Sequence, residues 1–265
     1  MDVARYLARI NYSGPTVPAI ETLRGLQRAH LYTVPFENLD IGLGRPIRLD
    51  AAAIEEKIVG RRRGGFCYEL NGLFALLLRD LDFRVTLLAA GVYSDKRGTF
   101  GPTFDHLTLR VDLDRPWLVD VGFGDGFLYP LALDTTGEQI DSGRAAPLPD
   151  ATHEGIWQDR YRIRAEDDAR IMQRRDWTGA WGDQYRFTLT PRQWADFSAQ
   201  CHYHQTSPDS GFTRNSVCSL ATPAGRVSVT TDRLIITAAG VKHETPLADA
   251  AARREALQRY CAIAL

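Results

Sequence analysis

The period of the hydrophobic pattern changes near Asp82, and that change restricts the chain to helices first and sheet afterwards. Before it, Leu70, Phe74, Leu77, Leu78 and Leu81 fall at i, i+4, i+7, i+8 and i+11, one apolar stripe along a helix. After it the period drops to two. Residues 85–93 are apolar and partly β-branched, and in 104–112 Leu107, Leu109 and Val111 alternate with His106, Thr108 and Arg110. Asp114-Arg115-Pro116 marks a turn, and 117–123 reads as the next strand, ending in Gly122-Phe123-Gly124-Asp125-Gly126.

The flanks extend this order. Residues 2–10 and 19–30 read as amphipathic helices, and Asp50 caps a third through residue 59. Residues 134–155 are polar and turn-rich and read as a long surface connection, with strand-like pieces at 161–163 and 185–189. Thr190-Pro191 reads as the start of a helix whose apolar face is Trp194, Phe197 and Cys201. Strands follow at 217–221, 227–230 and 234–237, and Asp249 caps a last helix. The division is 1–84 helical, 85–190 sheet and 191–265 mixed, an α+β chain in three parts.

Charge excludes two classes of partner. With 32 Lys+Arg against 33 Asp+Glu the formal net charge is -1, so no general electrostatic grip on nucleic acid or an anionic membrane is expected. The longest apolar runs, 73–78 and 85–92, fall far short of the roughly 20 residues that span a bilayer. The N-terminus lacks the apolar core of a signal peptide. Cys67, Cys201, Cys218 and Cys261 form no CxxC pair and no disulfide framework, so the expected setting is cytoplasmic and reducing, with free thiols.

Cys67 stands out among the four. It follows the Gly64-Gly65 break and opens the striped helix, where the partial positive charge of a helix N-terminus favours a thiolate and free N–H groups can hold an oxyanion. The alternative is a small core hydrophobe one turn below Leu70. Among six histidines, His106 occupies the polar side of an apolar strand, whereas His153 lies in the polar connection and His30 ends a helix. Asp120 sits inside Leu118-Val119-Asp120-Val121, where a carboxylate is costly unless paired. With a loop at 113–115, Asp112 faces Pro116, Thr108 faces Asp120, and His106 is diagonal to Asp120 on one sheet face. Cys67, His106 and Asp120 then make a nucleophile, a base and its orienter. Cys201-His202-Tyr203-His204 looks like a metal cluster, but Cys201 belongs to the apolar helix face and four converging ligands are not evident, so no metal is expected.

These residues bring a resemblance into view. Arg63-Gly64-Gly65-Phe66-Cys67-Tyr68-Glu69-Leu70-Asn71 resembles the active-site segment of the arylamine N-acetyltransferases, as do Val34-Pro35-Phe36-Glu37-Asn38-Leu39, Asp105-His106-Leu107 and Leu118-Val119-Asp120-Val121-Gly122-Phe123-Gly124. So do His204-Gln205-Thr206-Ser207-Pro208 and Cys218-Ser219-Leu220-Ala221-Thr222-Pro223 further on. The resemblance implies an N-terminal helical bundle carrying Cys67, a central β-barrel carrying His106 and Asp120, and a C-terminal α/β lid, with a core like that of cysteine proteases. It implies acetyl-CoA as cosubstrate rather than a permanently bound cofactor, a small aromatic amine or hydrazine as acceptor, and a monomer or homodimer. By position, Cys67 is the acetylated nucleophile, Phe36 and Phe123 line the acceptor pocket, Thr222 approaches CoA, and Glu37, Arg63 and Asn71 support the site. Two readings stand beside it: an amide synthase of the same family acting on a thioester-bound acyl chain, and a cysteine hydrolase of transglutaminase or protease type.

Overall fold

A computed structural model describes residues 1–147, 156–176, 178–238 and 241–265. The N-terminal part is helical. Helix α1 (Val3–Arg9) is capped by the Asp2 carboxylate, and α2 (Ile20–Thr33) buries Leu23 and Leu26. The short strand β1 (Phe36–Glu37) and the turn α3 (Leu39–Gly42) follow. The third expected helix is shorter than its pattern: α4 (Ala51–Glu55), capped by Asp50, widens into a π-helical turn over Glu56–Gly60. Helix α5 (Cys67–Asp80) is buried along most of its length, as the leucine stripe requires.

The second part is a nearly closed antiparallel barrel. Its strands are β2 (Arg84–Ser94), β3 (Thr99–Phe100), β4 (His106–Asp112), β5 (Pro116–Val119), β6 (Leu131–Ala132), β7 (Gln139–Pro147), β8 (Ile156–Glu166), β9 (Ala169–Arg175) and β10 (Trp181–Thr188). They run in the order β6-β5-β4-β2-β10-β9-β8-β7, with β3 paired to β2. The two edges are tied by the Gln139 side chain, whose Oε1 accepts from the Ala132 N–H at 2.7 Å while its Nε2 donates to the Ala132 carbonyl at 3.0 Å. The β4–β5 hairpin has the register expected from its loop, Asp112 opposite Pro116 and Leu109 opposite Val119. Leu107, Leu109 and Val111 face α5, whereas Leu88, Leu118, Phe127, Met172 and Tyr185 fill the barrel.

Several expected elements are corrected. The strand read over 117–123 ends at Val119, so Asp120 leaves the ladder. The connection read over 134–155 contains β7, which pairs with β8; residues 148–155, including His153, lie outside the described residues. Thr190-Pro191 starts no helix. Arg192 stays extended, its N–H bonded to the Leu87 carbonyl at 3.0 Å, and helix begins at Trp194 with a 3-10 turn (Trp194–Phe197) leading into α6 (Ser198–Thr206).

After α7 (Gly211–Arg214) come β11 (Val217–Thr222), β12 (Gly225–Thr230), β13 (Arg233–Ala238), β14 (Val241–Pro246) and α8 (Ala250–Cys261). The second sheet runs β1-β11-β12-β13-β14, so a two-residue strand from the helical part sits at its edge, Phe36 opposite Ser219. Helix α8 closes that sheet over Leu39, Cys218, Val229 and Leu257. No helix among the described residues is long and apolar enough to cross a membrane.

Candidate active site

Cys67 is the first residue of α5, and the chain before it admits no slack. A side chain at Gly64 would collide with the Pro35 carbonyl oxygen. Gly65 bridges to Phe36, its carbonyl accepting from the Glu37 N–H at 2.8 Å. The helix start is capped from within, Glu69 Oε2 accepting from the Phe66 N–H at 3.1 Å. The thiol is buried, and the backbone N–H of Leu107 donates to its sulfur.

His106 begins β4 and Asp120 follows β5, so the hairpin carries both. His106 Nε2 lies 2.6 Å from Asp120 Oδ2, and each residue is only 2% exposed. The other oxygen of Asp120 accepts from Asn71 Nδ2 and from the Gly122 N–H, both at 2.9 Å. Burial alone would raise the Asp120 carboxyl; His106, Asn71 and the Gly122 N–H outweigh it and hold the group below its ordinary value. With Nε2 committed to Asp120, Nδ1 is the ring atom left to face a reacting group. Asn71 also joins helix to barrel: its Nδ2 reaches the Leu107 carbonyl at 2.6 Å and its Oδ1 accepts from the Val121 N–H at 2.9 Å.

The electrostatics of the thiol differ from the sequence expectation. Burial pushes Cys67 well above the ordinary thiol value, Asp120, Asp105 and Cys201 add to it, and the Leu107 N–H opposes it. Position at a helix start therefore does not ionise this thiol unaided. Ionisation has to come with transfer of the proton to a neighbouring base.

Beneath the loop lies a buried charge cluster. Arg63 Nε and Nη2 donate to Glu37 Oε1 at 3.0 and 2.7 Å, and Nη2 lies 3.1 Å from Asp40 Oδ1. Lys57 Nζ is 2.8 Å from both Asp40 Oδ2 and Glu69 Oε1. Sequence reading named Glu37 and Arg63; Lys57, Asp40 and Glu69 join them here. Burial, with Glu37 adding to it, pushes Glu69 up to about 7 against the pull of Lys57.

The aromatic residues stand on two sides of residues 122–126. Phe123 meets the His106 ring edge-on at 5.4 Å, and a Cβ on Gly124 would meet the Phe36 ring at 3.7 Å. Thr222 ends β11, opposite Gly225 at the hairpin tip and three residues past Ser219, the partner of Phe36. Tyr185 escaped sequence reading. Its ring packs on His106 at 5.2 Å and on Phe123 at 5.1 Å, and its hydroxyl lies beside Thr108 and Asp120. Only the pairing of β10 with β2 brings it there. His30, read as a helix-end residue, is buried against the Tyr6 hydroxyl at 2.8 Å.

Gly122 is the seam between helix and barrel. A Cβ there would lie 2.7 Å from Cys67 Cα and 2.8 Å from Asn71 Nδ2. Gly122→Ala should therefore cost about 1–3 kcal/mol, as overpacking does, and should slow Cys67 alkylation by displacing the Asp120 loop. Unchanged melting and unchanged alkylation would show that the seam has room to spare.

Comparisons with known proteins agree on one family. A family model described as N-acetyltransferase matches residues 19–265. An arylamine N-acetyltransferase pineal gland isozyme of Gallus gallus is 36% identical over 233 residues, covering 85% of this chain and 79% of its own. The solved arylamine N-acetyltransferase of Salmonella typhimurium superposes with a TM-score of 0.88 at 30% identity, covering 98% of this chain and 90% of its own. That of Mycobacterium marinum, solved in complex with CoA, gives 0.87 at 32% identity over 99% and 93%.

Proposed function

Since this chain belongs to the arylamine N-acetyltransferase family, we propose that it moves an acetyl group from acetyl-CoA to the nitrogen of an arylamine or arylhydrazine through an acetyl-Cys67 intermediate. The observation that carries the mechanism is the His106–Asp120 contact, joined through Asn71 to the helix that buried Cys67 begins. His106 takes the Cys67 proton as the thioester approaches, and Asp120 steadies the imidazolium. The thiolate attacks the acetyl carbon, the carbon–sulfur bond to CoA breaks, and CoA leaves with the proton from His106. The arylamine, mostly neutral near pH 7, then attacks the acetyl-cysteine. His106 accepts the amine proton, the thiolate departs, and the order of events is ping-pong.

Burial gives the mechanism its switch. Burial pushes the thiol up, so forming the nucleophile calls on the base to take the proton. A buried acyl-enzyme is also screened from water, which favours transfer over hydrolysis. A relative supports CoA as the donor's carrier here: the Mycobacterium marinum enzyme was solved in complex with it. Intact-mass measurement after mixing with acetyl-CoA alone tests the reading. One acetyl group on Cys67, discharged by an arylamine, is the expected result; an adduct lost to water as fast as to amine would transfer the assignment to a hydrolase.

Phe123 serves the second half-reaction in this reading, because its ring lies against His106 where the amine must lose its proton. Phe123→Ala should weaken arylamine use more than acetylation by acetyl-CoA. Single-turnover measurement of the two half-reactions checks this, and an equal fall in both removes Phe123 from the acceptor site.

A further inference from the structure

A second histidine–carboxylate pair lies directly behind the first. Asp105 precedes His106, and its Oδ1 is 3.2 Å from Nε2 of His204 on α6, with Gln200 Nε2 at 3.4 Å. The His204 nitrogen makes no directed hydrogen bond, so this contact is an ion pair by distance. Asp105 is also fixed through its backbone, whose carbonyl accepts from the Tyr68 hydroxyl at 3.1 Å. Tyr68 neighbours Cys67 on α5, and the His204 ring stacks on Tyr68 with centroids 6.1 Å apart.

Ser210 holds the other side of the ring. Its Oγ lies 3.2 Å from both His204 Nδ1 and the His204 carbonyl and accepts from the Phe212 N–H at 3.1 Å. His204 thus faces a hydroxyl through Nδ1 and a carboxylate through Nε2.

We propose that Asp105 and His204 form a positioning pair: the Asp105 carboxylate sets the electrostatic field at Cys67 and His106, and His204, whose Nε2 faces that carboxylate, moderates it. The proposal rests on Cys67 being the reactive thiol. The groups acting on Cys67 are Asp120 from the hairpin, Asp105 from the turn before His106, Cys201 from α6 and Tyr68 from its own helix. Arg97 and Asp209 share with His204 the cavity of about 300 Å³ on its outer side. Asp105 already counts among the groups that push the Cys67 thiol up, so its charge reaches the sulfur. In this pair His204 acts through Asp105, the carboxylate that its Nε2 faces.

The test is the pH dependence of Cys67 alkylation by iodoacetamide, followed by intact mass, which needs neither acetyl-CoA nor an amine. Removing the carboxylate with Asp105→Asn should move the alkylation midpoint down by about half a pH unit or more. Removing its partner with His204→Gln should move the midpoint up. The double variant should return to the Asp105→Asn value, because in this pair His204 acts through the carboxylate. A structural role alone would move both single variants in one direction, and that result, or no movement in either, overturns the proposal. Should His204→Gln fail to fold, Asp105→Asn alone still decides, since an unmoved or raised midpoint sinks the pair. Failure of the acetyltransferase mechanism would leave these alkylation profiles unaltered and is read separately from acetyl uptake.

Discussion

Cys67→Ala should take up no acetyl group from acetyl-CoA and acetylate no arylamine, the two losses arriving together because one sulfur serves both half-reactions. Cys201, Cys218 and Cys261 are not expected to stand in: they are buried on α6, β11 and α8 rather than at the start of α5. Burial pushes Cys201 up to about 12, and Cys218 is held well above the ordinary thiol value by its hydrogen bond to Cys261 and by burial. His106→Ala should slow acetylation by about 10²–10⁴-fold, the usual worth of a positioned base. Its fold should persist, because Asp120 keeps its hydrogen bonds from Asn71 and the Gly122 N–H. Circular dichroism and single-turnover acetylation together check both variants. Turnover surviving in Cys67→Ala, or a label on another cysteine, ends the proposed mechanism.

Arg63→Ala should cost about 3–5 kcal/mol, the usual penalty for leaving a buried charge without its partner. The side chain is only 6% exposed and touches two carboxylates, so its loss leaves Lys57 as the one buried cation facing Glu37, Asp40 and Glu69 among the described residues, with the exposed Arg45 reaching only Asp40. At roughly 2–4 °C per kcal/mol, melting should fall by about 6–20 °C. Activity should fall further than the folded fraction, because Glu37 and the turn at Gly64-Gly65 sit directly upstream of Cys67. A second variant separates charge from packing. Glu37→Gln in the Arg63→Met background removes the stranded carboxylate and should recover part of the loss. An unchanged melting temperature in Arg63→Ala would remove the cluster from any account of stability.

Much of this was legible in the residues, for physical reasons that differ from element to element. The helix after Gly65 follows from spacing, since five apolar residues at helical intervals can be buried together only on one face. The β4–β5 register follows from Asp114-Arg115-Pro116, a turn that leaves one pairing. That register put His106 and Asp120 on one side of the hairpin before any contact was visible. The turn of Arg63 towards Glu37 came from the family resemblance, with two charges amid apolar and glycine neighbours as its local sign.

Other features leave no local mark. β7 carries Gln139, Asp141, Ser142 and Arg144, with no clean alternation, because backbone pairing to β8 and the Gln139 clamp hold it. β14 is exposed along its whole length at the edge of its sheet and so shows no apolar face. Pro191 is a sound start signal for a helix, yet the bond from Arg192 to Leu87 keeps the backbone extended for two residues more. Tyr185 and His204 reach the site from β10 and α6, elements whose approach to it is settled by tertiary packing alone. The burial of Cys67 escaped for a related reason: a helix start is visible in sequence, whereas burial of the sulfur and its upward push on the thiol are not.

The seam at Gly122 has a consequence for how the protein fails. No single unit owns the reactive geometry. The thiol rides on a helix, its imidazole partner on a hairpin, and an amide from Asn71 rivets the two. A slip between them of a fraction of the spacing at Gly122 leaves every helix and strand intact while the proton has nowhere to go. Mild urea should accordingly silence acetyl transfer before it erodes the far-ultraviolet dichroism, and coincident midpoints for the two signals would argue against it. Cys67 is in this sense a latch sensor: its chemistry registers whether two independently ordered bodies are closed on each other.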